Sequence, residues 1–152
     1  MNLTFSAAFL MSCSGDQIEL PDKQLEGLIN GEAWSYKSAN AYIYSSDARY
    51  QVRFLSSKES VRDPCTLPVP SQAHVRAIFK PSEGSFFVSP QATDNNQVQV
   101  SFELSPSKSL VASSGFMEIY LIENQVMIGY LQAVLDDEEN IVEGSFEIRI
   151  CN

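Results

Sequence analysis

The chain has 152 residues, which is typical of one domain, and 44% of them are hydrophobic, enough for a packed core. Only 19% are charged, so the combination of low hydrophobicity and high charge that defines a disordered chain is absent. Nineteen acidic against ten basic residues give a net charge of −9. That charge repels phosphate backbones, so we expect no nucleic-acid partner. No apolar run approaches the roughly 20 residues of a membrane-spanning helix.

The first residues, MNLTFSAAFLMS, carry no charge and are largely apolar. An apolar stretch of about 7–15 residues ending in small residues is typical of a signal peptide. The following tetrad, Leu10-Met11-Ser12-Cys13, resembles a bacterial lipobox. In such lipoproteins the cysteine sulfur receives a diacylglyceryl group and the peptide is cut before it. The alternative is a buried first strand, with Cys13 as a core thiol.

Residues 13–24 are polar, contain a proline and show no periodicity, which is typical of a tether. Two acyl chains on Cys13 would supply the two-signal anchoring that a single chain cannot. We therefore predict a signal peptide at 1–12, a lipidated tether at 13–24 and one folded domain at 25–152. The predicted location is the bacterial cell envelope, with the lipid anchor in the membrane and the domain at the outer membrane or facing the periplasm.

The predicted domain begins with a tryptophan-bearing stretch, Gly27-Leu28-Ile29-Asn30-Gly31-Glu32-Ala33-Trp34. With the lipobox and the tether, it makes the chain resemble small bacterial lipoproteins that carry an all-β domain of unknown function. Many of these start their folded part with a similar G-x-I-x-G-x-x-W pattern. The resemblance implies an anchored domain at the envelope, and it transfers no catalytic residue.

From residue 25 onward, apolar and polar residues alternate repeatedly, as they do in half-buried strands. The predicted strands cover 25–31, 34–44, 49–55, 74–80, 86–88, 97–104, 116–122, 126–135 and 141–150. Turn signals separate many of them, at Asn30-Gly31, Asp94-Asn95-Asn96, Glu123-Asn124-Gln125 and 136–140. No window shows helical spacing, although residues 57–62 could form one helical turn.

About eight or nine such strands predict an all-β fold. We favour an antiparallel β-sandwich, because two long loops, 56–72 and 105–115, resemble crossovers between sheets. The alternative is a lipocalin-like β-barrel.

The three cysteines are Cys13, Cys65 and Cys151, an odd number that needs an explanation in an exported protein. Lipidation of Cys13 leaves one pair, so we predict a disulfide between Cys65 and Cys151, which an oxidising envelope permits. Two unpaired thiols remain an alternative. Zinc binding and thiol catalysis are weaker ones, because the cysteines are scattered and His74 is the only histidine.

Aromatic residues crowd the first third of the chain, and Trp34, Tyr42 and Tyr44 are candidate ligand-binding residues. An exposed aromatic row can stack on sugar rings or anchor a protein partner. The competing interpretation places them in the core, and we expect this above all for Trp34.

Alternation places Arg49 and Arg53 on one face of their strand, and His74, Arg76 and Lys80 on one face of theirs. If their strands pair, they form a positive patch that could receive an anionic glycan or lipid head group, or pair with outward glutamates. We expect His74 at the surface or at a strand edge. Most acidic residues occupy turns or outward positions of strands. Paired catalytic carboxylates and a calcium loop at 136–140 are therefore disfavoured.

The sequence contains no P-loop, dinucleotide fingerprint or zinc-binding helix, so we expect no cofactor and no metal. We predict a non-enzymatic domain with a binding or structural role at the envelope, where it contacts a protein or a glycan. The alternatives are a carbohydrate-binding module, a hydrolase with paired carboxylates and a barrel that carries an apolar ligand in a closed cavity.

Overall fold

A computed structural model describes residues 22–56, 63–66 and 70–152. The predicted signal peptide, Cys13 and the predicted helical turn at 57–62 lie outside the described residues. The strands are β1 Glu26–Ile29, β2 Glu32–Ser35, β3 Ser38–Ile43, β4 Tyr50–Leu55, β5 His74–Phe79, β6 Gly84–Val88, β7 Gln97–Ser105, β8 Lys108–Val111, β9 Ser114–Glu123, β10 Val126–Val134 and β11 Ile141–Ile150. Within the described ranges, the helical element is a 3-10 turn at Pro64–Thr66, and none is long and apolar enough to cross a membrane.

Eight strands form one closed sheet in the order β10-β9-β6-β7-β5-β4-β3-β11, and pairing of β11 with β10 completes the barrel. Two neighbouring pairs, β6–β7 and β3–β11, are parallel, and the other pairs are antiparallel. The short strands β1 and β2 extend the sheet outward from β11, and β8 extends it from β7. The all-β prediction is confirmed, and the architecture is the barrel that the sequence left as the alternative.

The two long loops that favoured a sandwich do not cross between sheets. Residues 56–73 connect β4 to β5, which are antiparallel neighbours in the barrel. The other loop contains strand β8, which folds back on β7 as a hairpin. The barrel closes instead through its two parallel pairs, which join strands distant in sequence. Those pairs also interrupt the up-and-down order typical of a lipocalin-like barrel.

Apolar side chains from every second position of the strands fill the barrel interior, as the alternation in the sequence predicts. The largest fully buried side chains include Phe54, Phe79, Phe86 and Phe102. Phe79 and Phe86 meet edge to face with ring centroids 5.2 Å apart, a favoured aromatic geometry. Burial of each such side chain stabilises the fold by about 1.5–3 kcal/mol.

Two hairpins confirm predicted turns. Asn30 and Gly31 join β1 to β2, with φ angles of 54° and 74°. Asn124 and Gln125 join β9 to β10, with φ angles of 52° and 62°. Positive φ at both central residues defines the turn whose twist matches that of paired strands, and glycine and asparagine adopt it most readily.

The predicted disulfide between Cys65 and Cys151 is present, with the two Cα atoms 5.6 Å apart. It ties the 3-10 turn to the end of the chain, across the outer side of β3. The Tyr42 hydroxyl donates to the Cys65 carbonyl at 2.6 Å, and the Asn40 amide donates to the Pro64 carbonyl at 2.9 Å. The bond therefore closes the β3–β11 seam from the outside.

Candidate binding surface

Exposed aromatic rings gather on the outer side of β6, β9, β10 and β11, where the register places two rows of side chains next to each other. One row, from β6 to β11, consists of Phe87, Phe116, Gln132 and Glu143. The next row consists of Ser85, Glu118, Tyr130 and Ser145. We name this surface, with the adjoining Tyr120, Glu123 and Glu147, the aromatic face.

The aromatic face exposes two phenylalanines to solvent. Phe87 is 63% exposed and Phe116, its direct cross-strand partner, is 39% exposed. The ring of Phe116 also stacks on that of Tyr130, with centroids 5.7 Å apart and planes at 21°. Exposed aromatic clusters of this kind are enriched where proteins bind a partner.

Carboxylates lie directly beside these rings. The Tyr130 hydroxyl donates to Oε1 of Glu143 at 2.5 Å. Burial, this hydrogen bond and the negative charge of Glu143 raise the pKa of Tyr130 to about 12. Glu118 lies opposite Tyr130 on the neighbouring strand. Burial and the charge of Glu118 also raise the pKa of Tyr120.

Tyr120 is placed by a β-bulge. The register of β9 against β10 shifts between Ile128 and Gly129, so that Leu121 and Ile119 face these residues and Tyr120 is the extra one. A bulge re-aims the side chains around it and increases the local twist. It thereby adds a second tyrosine to the aromatic face.

The charge on the aromatic face is strongly negative. Glu118, Glu123, Glu143 and Glu147 point outward from β9 and β11. The basic residues around them include Arg149 on β11, Lys37 on the same groove as Glu147, and Lys23, which is paired with Glu26 opposite Glu143. Among the described residues, none of the four carboxylates belongs to an ion pair. The aromatic face thus combines exposed rings with carboxylates that form no ion pair within the described parts of the chain.

A groove of about 670 Å³ adjoins this face, where β11 diverges from β3. The Tyr36 hydroxyl bridges the gap by donating to the Glu147 carbonyl at 2.5 Å, and burial raises the pKa of Tyr36. Side chains of both signs line the groove, among them Asp22, Lys37 and Arg149. The groove is open, so it extends the aromatic face rather than enclosing a ligand.

The predicted basic patch lies on the outer side of β4, β5 and β7, where Arg53 and Arg76 are direct cross-strand partners. Arg76 forms an ion pair with Glu103, with Nε and Oε1 2.9 Å apart. Ser101 and Ser109 donate to the same carboxylate oxygen at 2.8 and 3.0 Å. We name Arg53, Arg76, Ser101 and Glu103 the arginine patch. The expected pairing with an outward glutamate is found in Arg76 and Glu103.

The Gln51 amide caps the second arginine of this patch. With its side-chain oxygen turned toward Arg53, it accepts two hydrogen bonds from the guanidinium, at 2.7 and 3.2 Å. Both arginines of the patch therefore have partners within the fold.

His74 was expected at the surface or at a strand edge, and the structure buries it instead. It begins β5 on the outer side, opposite Glu103, and is 8% exposed. Its Nδ1–H donates to the Gln72 carbonyl at 3.0 Å, which leaves Nε2 as the unprotonated nitrogen. Burial lowers the pKa of His74, and this effect outweighs the Gln72 carbonyl and Glu103, which raise it.

The three aromatic residues proposed from the sequence occupy different environments. Trp34 is 7% exposed, and its indole N–H donates to the Ala73 carbonyl at 3.2 Å. Tyr42 is half-buried beneath the 3-10 turn, whereas Tyr44 is 56% exposed beyond the end of β3. Trp34 thus presents no open ring for stacking, and Tyr44 is the exposed member of the set.

The acidic run at 136–140 forms the tip of the β10–β11 hairpin. Asp137 accepts hydrogen bonds from the backbone N–H groups of Glu139 and Asn140 and from the Asn140 amide. Desolvation is the largest single influence and raises the pKa of Asp137, but these hydrogen bonds together outweigh it and hold the pKa below its usual value. In the parts of the chain that the structure describes, no group of three metal-ligating side chains comes together.

Phe87, Phe116 and Tyr130 were not proposed as site residues from the sequence. A signal was available in the adjacent pair Phe86-Phe87, because neighbouring residues of a strand point to opposite sides of the sheet. One ring of the pair must therefore face outward.

The fold and its surfaces define a closed, mixed β-barrel that carries an aromatic, acidic outer face. No family model, curated protein or solved structure matches the chain.

Proposed function

We propose that the protein is an exported, lipid-anchored binding domain of the bacterial cell envelope. The observation that carries the proposal is the disulfide between Cys65 and Cys151. Such bonds persist in oxidising compartments and are rare in a reducing cytoplasm. The bond leaves Cys13, in the lipobox-like tetrad, as the one remaining cysteine of the sequence. Lipidation of Cys13 accounts for the odd number.

The binding role is supported by the aromatic face. Rings exposed on a strand surface are costly to solvate and are enriched in contact sites, where aromatic side chains contribute much of the binding energy. The face lies on regular strands rather than on loops, so its rings are held in a fixed arrangement. We assign the contact with an envelope partner to this face.

Intact mass spectrometry of the full chain, purified from the membrane fraction of a bacterial host, tests the export and anchoring. We expect a chain that begins at Cys13, carries a diacylglyceryl group and gains two hydrogens on reduction. The matched control is Cys13→Ser, which should lose the lipid and leave the membrane fraction while keeping the disulfide. An unmodified chain that starts at Met1 with free thiols would overturn the proposal.

Carbohydrate binding is the second candidate, and the exposed ring of Phe87 favours it. Aromatic rings can stack on sugar rings. The residues involved would be Phe87 and Phe116, with Tyr44 as a separate exposed ring, because Trp34 is buried. Titration of the protein with neutral oligosaccharides, followed by NMR, tests this candidate.

A further inference from the structure

We propose that the aromatic face binds a basic polypeptide, a segment that presents lysine and arginine side chains. The proposal rests on the binding role proposed above and names the chemistry of the partner. It follows from the placement of exposed rings and unneutralised carboxylates on the same strands.

The first step is the charge. Four outward glutamates on β9 and β11 outnumber the nearby Arg149, Lys37 and Lys23, and none of the four forms an ion pair among the described residues. Oriented carboxylates of one sign attract a partner of the opposite sign and accelerate its association. The same charges repel anionic lipid surfaces and a second copy of this chain, whose net charge is −9.

The second step is the arrangement of rings and carboxylates. Glu118 faces Tyr130 across adjacent strands, and the ring of Tyr130 stacks on that of Phe116. Adjacent strands lie about 4.7–4.9 Å apart, so one ammonium or guanidinium group can contact a ring and a carboxylate at once. A cation over an aromatic ring is attracted within about 6 Å of the ring centre.

The third step separates a polypeptide from a neutral glycan. Neutral sugars gain from exposed rings and can donate hydroxyl hydrogen bonds to carboxylates, but they carry no positive charge that would neutralise them. Lysine and arginine side chains use both, because their alkyl stems pack on the rings while their charged ends reach the glutamates. The combination on the aromatic face therefore favours the basic polypeptide.

The test measures binding of a fluorescein-labelled deca-lysine peptide to the full chain by fluorescence anisotropy at low and moderate salt. The diagnostic variant is Glu118→Gln with Glu143→Gln. Its matched control is Glu32→Gln with Glu138→Gln, which changes the net charge equally at residues outside the aromatic face, on β2 and at the tip of the β10–β11 hairpin. We expect the Kd to rise at least about tenfold for the first variant and less than about twofold for the second. Equal weakening by the two variants would mean unspecific attraction to net charge and would overturn the proposal.

Phe87→Ser tests the rings without a change of charge. Since Phe87 is the most exposed ring of the face, we expect it to weaken peptide binding about three- to fivefold while leaving the thermal unfolding curve unchanged. Amide shifts in an NMR titration should cluster on β6, β9 and β10. Shifts that cluster on β4 and β5 would overturn the assignment.

A matched titration with neutral oligosaccharides separates failure of this inference from failure of the proposed function. Sugar binding that Phe87→Ser abolishes, together with no peptide binding, would overturn the basic partner and keep the aromatic face as the contact surface. The lipid and the disulfide are measured independently by mass, so neither peptide result changes that outcome.

Discussion

The arginine patch and the aromatic face lie on different sides of the same barrel, and they balance their charges differently. In the arginine patch, Arg76 is paired with Glu103, and Gln51 caps Arg53. On the aromatic face, Glu118 and the neighbouring carboxylates have no cationic partner within the described fold. Charges that are satisfied internally hold strands together, whereas unpaired charges beside exposed rings are free to meet a partner. The first side therefore stabilises the fold, whereas the second is the side for which we propose recognition of a partner.

Removal of the disulfide should have the largest effect on the free energy of unfolding, and its effect on amide exchange should differ between the two sides of the barrel. The bond spans a sequence separation of 86 residues, and loss of its loop-closure constraint should lower the free energy of unfolding by about 4 kcal/mol in Cys65→Ser/Cys151→Ser. Urea denaturation measures the change, with Cys13→Ser as the control. Amide hydrogen exchange through global unfolding should accelerate throughout the barrel, and amides at the β3–β11 seam, which also lose the local link, should accelerate more than those of the β9–β10 hairpin. Uniform acceleration would contradict a local role of the bond.

Removal of one carboxylate from each side gives the next largest contrast. Glu103→Gln leaves Arg53 and Arg76 as facing cations without a carboxylate, and it should cost about 1–2 kcal/mol of stability. Glu118→Gln removes an unpaired surface charge and should change stability by less than about 0.5 kcal/mol. Chemical denaturation of both variants under the same conditions measures the difference. Equal costs would remove the distinction between the two sides.

The stability of the arginine side should depend on pH through His74. Burial lowers its folded-state pKa below the usual 6.5, so the unfolded chain takes up a proton first. The free energy of unfolding should therefore fall as the pH drops below about 6.5 and toward the folded-state pKa, and it should be insensitive to this group above that range. Thermal unfolding between pH 7.5 and 5 measures the trend. His74→Gln should remove this component, and an unchanged pH profile in that variant would refute the assignment.

On the aromatic face, the group that titrates is Tyr130, and it does so at high pH. Its influence on stability is the smallest of these predicted effects. The pKa of Tyr130 is raised to about 12, so its protonated form is favoured in the folded state. Its stabilising contribution is complete below pH 10, the usual value, and is lost as the pH rises toward about 12. Ultraviolet difference titration against Tyr130→Phe isolates this tyrosine. In Glu143→Gln the midpoint should move down toward 10, and a fixed midpoint would show that Glu143 has no part in the shift.

Strand positions and parity were predictable because alternation is a local property. In the predicted strand 141–150, alternation places Val142, Phe146 and Ile148 on the same face, and all three are buried. Strand β8 was missed because Lys108 and Ser109 interrupt any apolar pattern and Pro106 signals a loop. Barrel closure was not predictable, since the parallel pairing of β3 with β11 joins Asn40 to Arg149 and leaves no local signature.

The candidate site was harder to predict than the fold, because exposure depends on what covers each strand. Tyr42 points to the outer side of β3, because it alternates with the inward-facing Ala41. The 3-10 turn that the disulfide holds in place nevertheless covers it. Phe116 also points to the outer side, from β9, and it remains exposed because no described loop crosses it. The same alternation therefore yields a covered ring on one side and an open one on the other.

The position of β11 has a consequence for the timing of folding. This last strand pairs with β10 on one edge and with β3 and β1 on the other, so no closed barrel forms before the C-terminal residues are synthesised. Pairings between distant residues also form slowly, because a long loop must close before they stabilise the chain. Closure that depends on β11 agrees with the export that we propose, because a translocation channel takes a chain that has not yet folded.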